Sequence, residues 1–282
     1  MKNFLLSRII GIIGVGNMGE AILARAIKDK AKDKRLSAKN FIIVEKDRLK
    51  ESFVKRIYNV KIASDVKELV FKSDIIIIAV KPQDIDSVLD AIHNALQICE
   101  EKWLLIISIA AGINTSYIEN KISPEVKVVR AMPNMPASIG EGITALAKGH
   151  FANTRDLNVA KEIFAILGPT VNIEKEELID VVTAISGSGP AYLFYIVSAI
   201  VAAAKGLDLD KETANKLVYQ TMIGSMDLLS RHSFDAETLI SRVASKGGTT
   251  EAALKIFKER QLNEIIAEAI RSAYLRAKEL SR

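Results

Sequence analysis

Ile9-Ile10-Gly11-Ile12-Ile13-Gly14-Val15-Gly16-Asn17-Met18-Gly19, with the amphipathic residues 20–28 directly behind it, sets the architecture of the N-terminal half. A short β-branched run ends in G-x-G-x-x-G and a helix begins at once, which is the strand, turn and helix of a dinucleotide-binding unit. In that setting the first glycine allows a tight turn and the second lets a pyrophosphate approach the backbone. The third packs helix against sheet, while the helix N-terminus offers amide donors. The six-residue pattern alone is weak; its place at a first strand-to-helix turn is what makes it informative.

Outward from this turn, further apolar runs follow at residues 41–45, 74–80, 104–109 and 126–130, separated by helix-length segments. The runs are continuous rather than alternating, as expected of parallel strands covered on both faces, so residues 1–174 are predicted to form a Rossmann-type doubly wound α/β domain. Residues 141–149 and 170–173 predict two last strands, with a helix over 154–167 ended by Gly168-Pro169. Beyond residue 174 strand signals vanish. Residues 175–282 predict an all-helical domain of five or six helices, with Gly206 as a C-terminal stop and Asp210 as an N-cap.

A length of 282 residues suits two domains, and 49% hydrophobic with 26% charged residues excludes intrinsic disorder. The net charge of +5 is spread along the chain without a basic stripe, which argues against nucleic acid as a partner. One cysteine, Cys99, cannot form an internal disulfide, and His93, His150 and His232 have no zinc-ligand spacing. A reducing, cytoplasmic setting and no metal are therefore expected. Arg8 and the glycines after it disqualify the opening residues as a signal peptide. Residues 181–204 carry no formal charge, but Ser186-Gly187-Ser188-Gly189-Pro190 is expected to break the run, leaving 191–204 as a buried helix too short to cross a membrane.

Several turns carry chemical content. After the second strand, Glu45 suits the ribose hydroxyls of NAD, whereas Lys46 and Arg48 suit the extra phosphate of NADP, so this turn leaves the preference open. Lys81-Pro82 and Ser108 to Gly112 end two further strands at the edge where ligands of open α/β sheets bind. Arg130-Ala131-Met132-Pro133-Asn134-Met135-Pro136 holds an asparagine between prolines at another strand exit. Ser186-Gly187-Ser188-Gly189-Pro190-Ala191-Tyr192 and Ser245-Lys246-Gly247-Gly248-Thr249-Thr250 each open a helix with amides and hydroxyls suited to a carboxylate, although ordinary capping uses the same residues. Neither a catalytic triad nor a nucleophile elbow is present, and hydride transfer needs neither.

In order and spacing, these segments together resemble pyrroline-5-carboxylate reductase over nearly the whole chain. The resemblance implies NAD(P)H-dependent reduction of 1-pyrroline-5-carboxylate, an anionic cyclic imine, to L-proline, with NADPH slightly favoured. It further implies a homodimer with interlocked helical domains, able to assemble as a decamer of five dimers, and an active site between the nucleotide-binding domain and the helical dimer. By position, cofactor contacts fall on Ile13, Gly14, Val15, Gly16, Asn17, Met18, Gly19, Glu45, Lys46, Ala79, Val80, Lys81, Pro82, Ala110, Ala111, Gly112 and Asn134. Substrate contacts fall on Glu176, Ser245, Gly247, Gly248, Thr249 and Thr250. Two departures stand out: Met135 where the family commonly has threonine, and Lys246 where it commonly has proline.

On that resemblance, the substrate carboxylate is expected on the amides of Gly247 to Thr249 and the Ser245 hydroxyl, with Thr250 bonding the ring nitrogen. A β-hydroxyacid-type dehydrogenase would need a lysine in the helix 191–204, which has none, and a sensor without turnover would have no use for the Gly-Gly-Thr-Thr loop. The apolar helix 191–204 with Met222, Met226, Leu228 and Leu229 offers surface for oligomerisation.

Overall fold

A computed structural model describes residues 4–28, 36–98, 103–123, 125–231 and 234–282, so Cys99 and His232 lie outside the described residues. By contact the chain divides into two compact units, residues 1–188 with 273–282, and residues 189–272.

The first unit is built on one eight-stranded sheet of order β3-β2-β1-β4-β5-β6-β7-β8. Its strands are β1 (Ile10–Ile13), β2 (Phe41–Val44), β3 (Lys61–Ile62), β4 (Ile75–Ile78), β5 (Leu105–Ser108), β6 (Lys127–Pro133), β7 (Thr144–Lys148) and β8 (Thr170–Asn172). The helices between them are α1 (Asn17–Lys28), α2 (Arg48–Tyr58), α3 (Val66–Lys72), α4 (Ile85–Leu96), α5 (Thr115–Ile122) and α6 (Thr154–Phe164). Strand side chains alternate between faces. Ile12, Ile43, Ile77 and Ile107 therefore pack with Leu23 of α1, Val54 of α2 and Phe164 of α6, while Ile42, Ile76, Ile78 and Ile106 pack with Leu69 of α3, Leu89 of α4 and Ile118 of α5. Both faces are covered, which explains the unbroken apolar runs.

Two sequence expectations need correction here. The sheet is mixed rather than all parallel, because β7 runs antiparallel to β6. Only ten residues join those strands, and they hold no crossover helix, so the chain returns beside β6 in the opposite direction. β3 escaped the pattern because it is two residues long. By contact the first unit runs on to residue 188, because α7 (Leu178–Val182) buries Ile179 against Ala145 and Ala147 of β7. The C-terminal residues also return to this unit, where the Arg282 amide donates to Gly112 O at 2.7 Å and the Asn114 amide donates to Arg282 O at 3.0 Å.

The second unit contains α8 (Gly189–Lys205), α9 (Lys211–Arg231), α10 (Ala236–Val243), α11 (Thr249–Glu259) and most of α12 (Leu262–Leu280). Asp210 caps α9 as expected, accepting from the Thr213 amide at 3.0 Å. The Ser-Gly-Ser-Gly-Pro segment does not break the apolar run: Thr183–Gly187 forms a π-helical turn in which the Ser188 amide donates to Thr183 O at 2.9 Å, and α8 starts at Gly189. The helical run Leu178–Lys205 is thus long and apolar enough, by length and composition, to cross a membrane. Nor is residues 191–204 a buried helix within the subunit. Among the described residues of this unit only Ala214 and Val218 are buried hydrophobics, while Phe194 is 59% and Tyr195 78% exposed.

Candidate active site

Parallel strands deliver their carboxyl ends to one edge, and the cofactor residues proposed from sequence collect there. Gly14 follows β1 with φ of +85°, in the left-handed region, and a Cβ on it would meet Ala79 O at 3.0 Å. Its amide is tied to Val44 O at 2.8 Å, which holds the turn between β2 and β4. A Cβ on Gly16 would meet no atom within 4 Å, so the turn is open on the side where the chain enters α1. The amides of Gly16, Asn17 and Met18 have no partner among the described residues. Such an open turn with unpaired amides at a helix start fits a pyrophosphate.

Glu45 follows β2, and its Oε2 accepts from the Val15 amide at 2.7 Å while Oε1 accepts from the Asp47 amide at 3.1 Å. Lys46 is drawn away to Asp84 at 2.8 Å. Ala79 and Val80 continue from β4, whereas Lys81 and Pro82 are exposed at the start of a short 3-10 turn, Pro82–Asp84. Ala110 is buried, Ala111 exposed, and Gly112 takes φ of +73° against the backbone of Leu280.

Two residues proposed as ligand contacts are engaged within their own unit. Asn134 donates to Ser186 O at 3.2 Å and accepts from the Ile143 amide at 2.9 Å, so its side chain braces the β6-β7 turn. Glu176 accepts from the Thr115 amide at 2.8 Å and the Thr115 hydroxyl at 2.5 Å, and pairs with Arg130 at 3.4 Å. Arg130, 3% exposed, also meets Asp180 at 3.2 Å. The sequence gives one clue to this brace: Glu176 and Asp180 are four residues apart, the spacing of neighbours on a helix face. Nearby, burial pushes the Glu119 carboxyl above its ordinary value, against the lowering effect of the Phe151 and His150 amides.

In the second unit, Ser245 to Thr250 form a turn into α11. Gly247 takes φ of +73°, and the Gly248 amide donates to Ser245 O at 3.0 Å. The Gly247 amide donates to Glu251 Oε2 at 2.6 Å. Two of the three amides expected to receive a carboxylate are therefore taken, because the turn closes on itself and a glutamate at the third helical position reaches back. The amides of Thr249 and Thr250, in the first turn of α11, have no partner among the described residues. Glu251 was missed in the sequence, although a glutamate in the first turn of a helix is suited to the unpaired amides there. An open cleft of about 680 Å³ runs beside this turn, lined by Gly247, Gly248, Glu251 and Lys255 among others.

The second helix-opening segment, Ser186 to Tyr192, offers no comparable anion site. Its Ser186 hydroxyl donates back to Val182 O at 3.1 Å, and the Ser188 amide is used in the π-turn.

Comparison with known proteins adds the following. Residues 176–280 match the family described as pyrroline-5-carboxylate reductase dimerisation, and residues 9–112 match NADP oxidoreductase coenzyme F420-dependent. A pyrroline-5-carboxylate reductase of Synechocystis sp. is 34% identical over 273 residues, covering 97% of this chain and 98% of its own length. Pyrroline-5-carboxylate reductase 2 of Bacillus subtilis is also 34% identical, with 96% and 94% covered. Among solved structures, a pyrroline-5-carboxylate reductase from Coxiella burnetii superposes with a TM-score of 0.88 at 33% identity, covering 98% of this chain and 99% of that one. The pyrroline carboxylate reductase of Plasmodium falciparum, solved with NADP bound, gives 0.85 at 28% identity, with 98% and 99% covered.

Proposed function

This chain belongs to the pyrroline-5-carboxylate reductase family, and from that premise we propose how its residues reduce 1-pyrroline-5-carboxylate to L-proline, the last step of proline synthesis, with NAD(P)H. The observation that carries the assignment of roles is the opening of α11, where the Thr249 and Thr250 amides have no partner among the described residues and the preceding Gly247 and Gly248 line a cleft. That is a carboxylate-binding arrangement.

A bound reduced nicotinamide supplies the hydride. At the sheet edge, the amides of Gly16, Asn17 and Met18 would hold its pyrophosphate and Glu45 its adenosine ribose, with residues 79–82 and 110–112 lining the remainder. In the second unit, the Thr249 and Thr250 amides with the Ser245 hydroxyl hold the substrate carboxylate, and Lys246 adds attraction for the anion. The Thr250 hydroxyl bonds the ring nitrogen, donating to it in the neutral imine and accepting from its N–H in the protonated one. A cyclic imine is basic enough to arrive partly protonated, so no strong side-chain acid is required. Fixing donor and acceptor at near-attack distance then supplies the largest share of the rate, roughly 7–11 kcal/mol. Asn134 and Glu176 act as positioning residues, because their polar atoms hold the protein's own loops.

The dimerisation region supports an oligomer. We assign a homodimer that covers the exposed apolar face of α8, with five such dimers as the larger assembly, acting in the cytoplasm. Light scattering at micromolar concentration reads this directly, and a monomer contradicts it.

Absorbance at the reduced nicotinamide band with pyrroline-5-carboxylate tests the roles. Thr250→Ala is expected to lower kcat/KM by about 100-fold. Ser241→Ala, whose hydroxyl is already bonded to Thr238 O, changes it by less than about threefold. Equal small losses would remove Thr250 from the mechanism.

A further inference from the structure

In the turn after β2, carboxylates engage several of the nearby donors. Glu45 is half-buried, and its two oxygens hold the Val15 and Asp47 amides. Asp47 caps α2, accepting from the Leu49 amide at 2.9 Å and the Lys50 amide at 3.2 Å. Lys46 Nζ sits 2.8 Å from Asp84 Oδ2. The Val15 and Asp47 amides and the Lys46 ammonium, groups that a 2′-phosphate would seek, are thus engaged by carboxylates, while the exposed Arg48 side chain has no partner among the described residues.

A ribose diol asks for the reverse. It is neutral and donates two hydrogen bonds, whereas a 2′-phosphate brings about −1.5 to −2 charges and needs donors. Each Glu45 oxygen keeps spare acceptor capacity after receiving one amide, so the carboxylate can take ribose hydroxyls without releasing Val15 or Asp47. Its bond to Val15 also fixes it beside the glycine turn, where a dinucleotide's adenosine ribose follows the pyrophosphate. We infer that Glu45, held by the Val15 and Asp47 amides, makes this chain prefer NADH to NADPH, opposite to the lean of the family resemblance. The inference rests on the reductase reading only in placing a dinucleotide at this edge.

Isothermal titration of the full chain with each reduced nucleotide tests it. NADH is expected to bind at least about tenfold tighter than NADPH, the scale of one like-charge contact at a half-buried position. Glu45→Gln, checked for an unchanged melting temperature, narrows that ratio chiefly by tightening NADPH. Asp84→Asn, which frees Lys46, narrows it in the same direction and serves if the first variant does not fold. Equal affinity of the unaltered protein for both nucleotides, or an unchanged ratio in the folded variants, overturns the preference and leaves the reductase reading standing. Binding of neither nucleotide overturns the reductase reading itself.

Discussion

Glu251 Oε2 accepts the Gly247 amide at 2.6 Å, so a carboxylate of the protein closes the turn that the proposed function assigns to the carboxylate of the substrate. The bond supports the positive φ of Gly247, but its charge stands beside the Thr249 and Thr250 amides. Glu251→Gln keeps an acceptor and removes that charge. Steady-state kinetics should show KM for pyrroline-5-carboxylate falling roughly two- to fivefold, the scale of one exposed charge interaction, with kcat unchanged. A raised KM would show the charge to be helpful rather than opposing.

Glu176 gives a contrast between bracing and binding. It receives both donors of Thr115 and pairs with buried Arg130, so Glu176→Gln weakens a charged network while keeping its shape. Thermal unfolding should register a loss of about 1–3 kcal/mol. KM for the imine should stay within about twofold, since the Glu176 oxygens are already engaged by Thr115 of α5 and Arg130 of β6. A large KM rise with unchanged stability would return Glu176 to the substrate site.

The glycines of the first turn separate packing from ligand approach. A Cβ on Gly19 would lie 2.6 Å from Gly14 O, a backbone atom, so Gly19→Ala should cost about 1–3 kcal/mol of stability. Around Gly16 the space is open. Gly16→Ala should therefore keep its melting temperature within about 1 °C while weakening nucleotide binding about tenfold or more, because the added methyl stands where the pyrophosphate approaches.

Glu119 predicts a pH dependence of stability. It is 4% exposed, its Oε1 has no partner among the described residues, and burial raises its pKa in the folded state. A raised folded pKa means that the neutral acid is favoured by folding. Its stabilising contribution is complete below the ordinary carboxylate value and is lost as pH rises through the raised one. Glu119→Gln imitates the neutral form. Melting curves should nearly coincide for the two proteins near pH ~4 and diverge towards pH ~8, where the variant melts roughly 2–4 °C higher. A constant difference at all pH values would contradict the argument.

How much was legible in the sequence follows from what each feature depends on. The dinucleotide turn, the five main parallel strands and the cap at Asp210 were readable because they rest on local spacing and apolar continuity. The reversed strand β7 was not, since strand direction depends on the length of the connection and not on the strand's own residues. Ser186 to Pro190 misled for a different reason. Glycine and proline read as a break, yet a π-helical turn followed by a proline in the first turn of α8 absorbs both. At the candidate site, residue types were visible but their hydrogen bonds were not, so Glu176 and Asn134 looked available although each is held by a distant part of the chain.

The location of bound L-proline tests the central claim most directly. A crystal structure of the protein with this product should place its carboxylate oxygens about 2.7–3.2 Å from the Thr249 and Thr250 amides at the start of α11. Proline seated elsewhere, with that helix opening unchanged, would contradict the account.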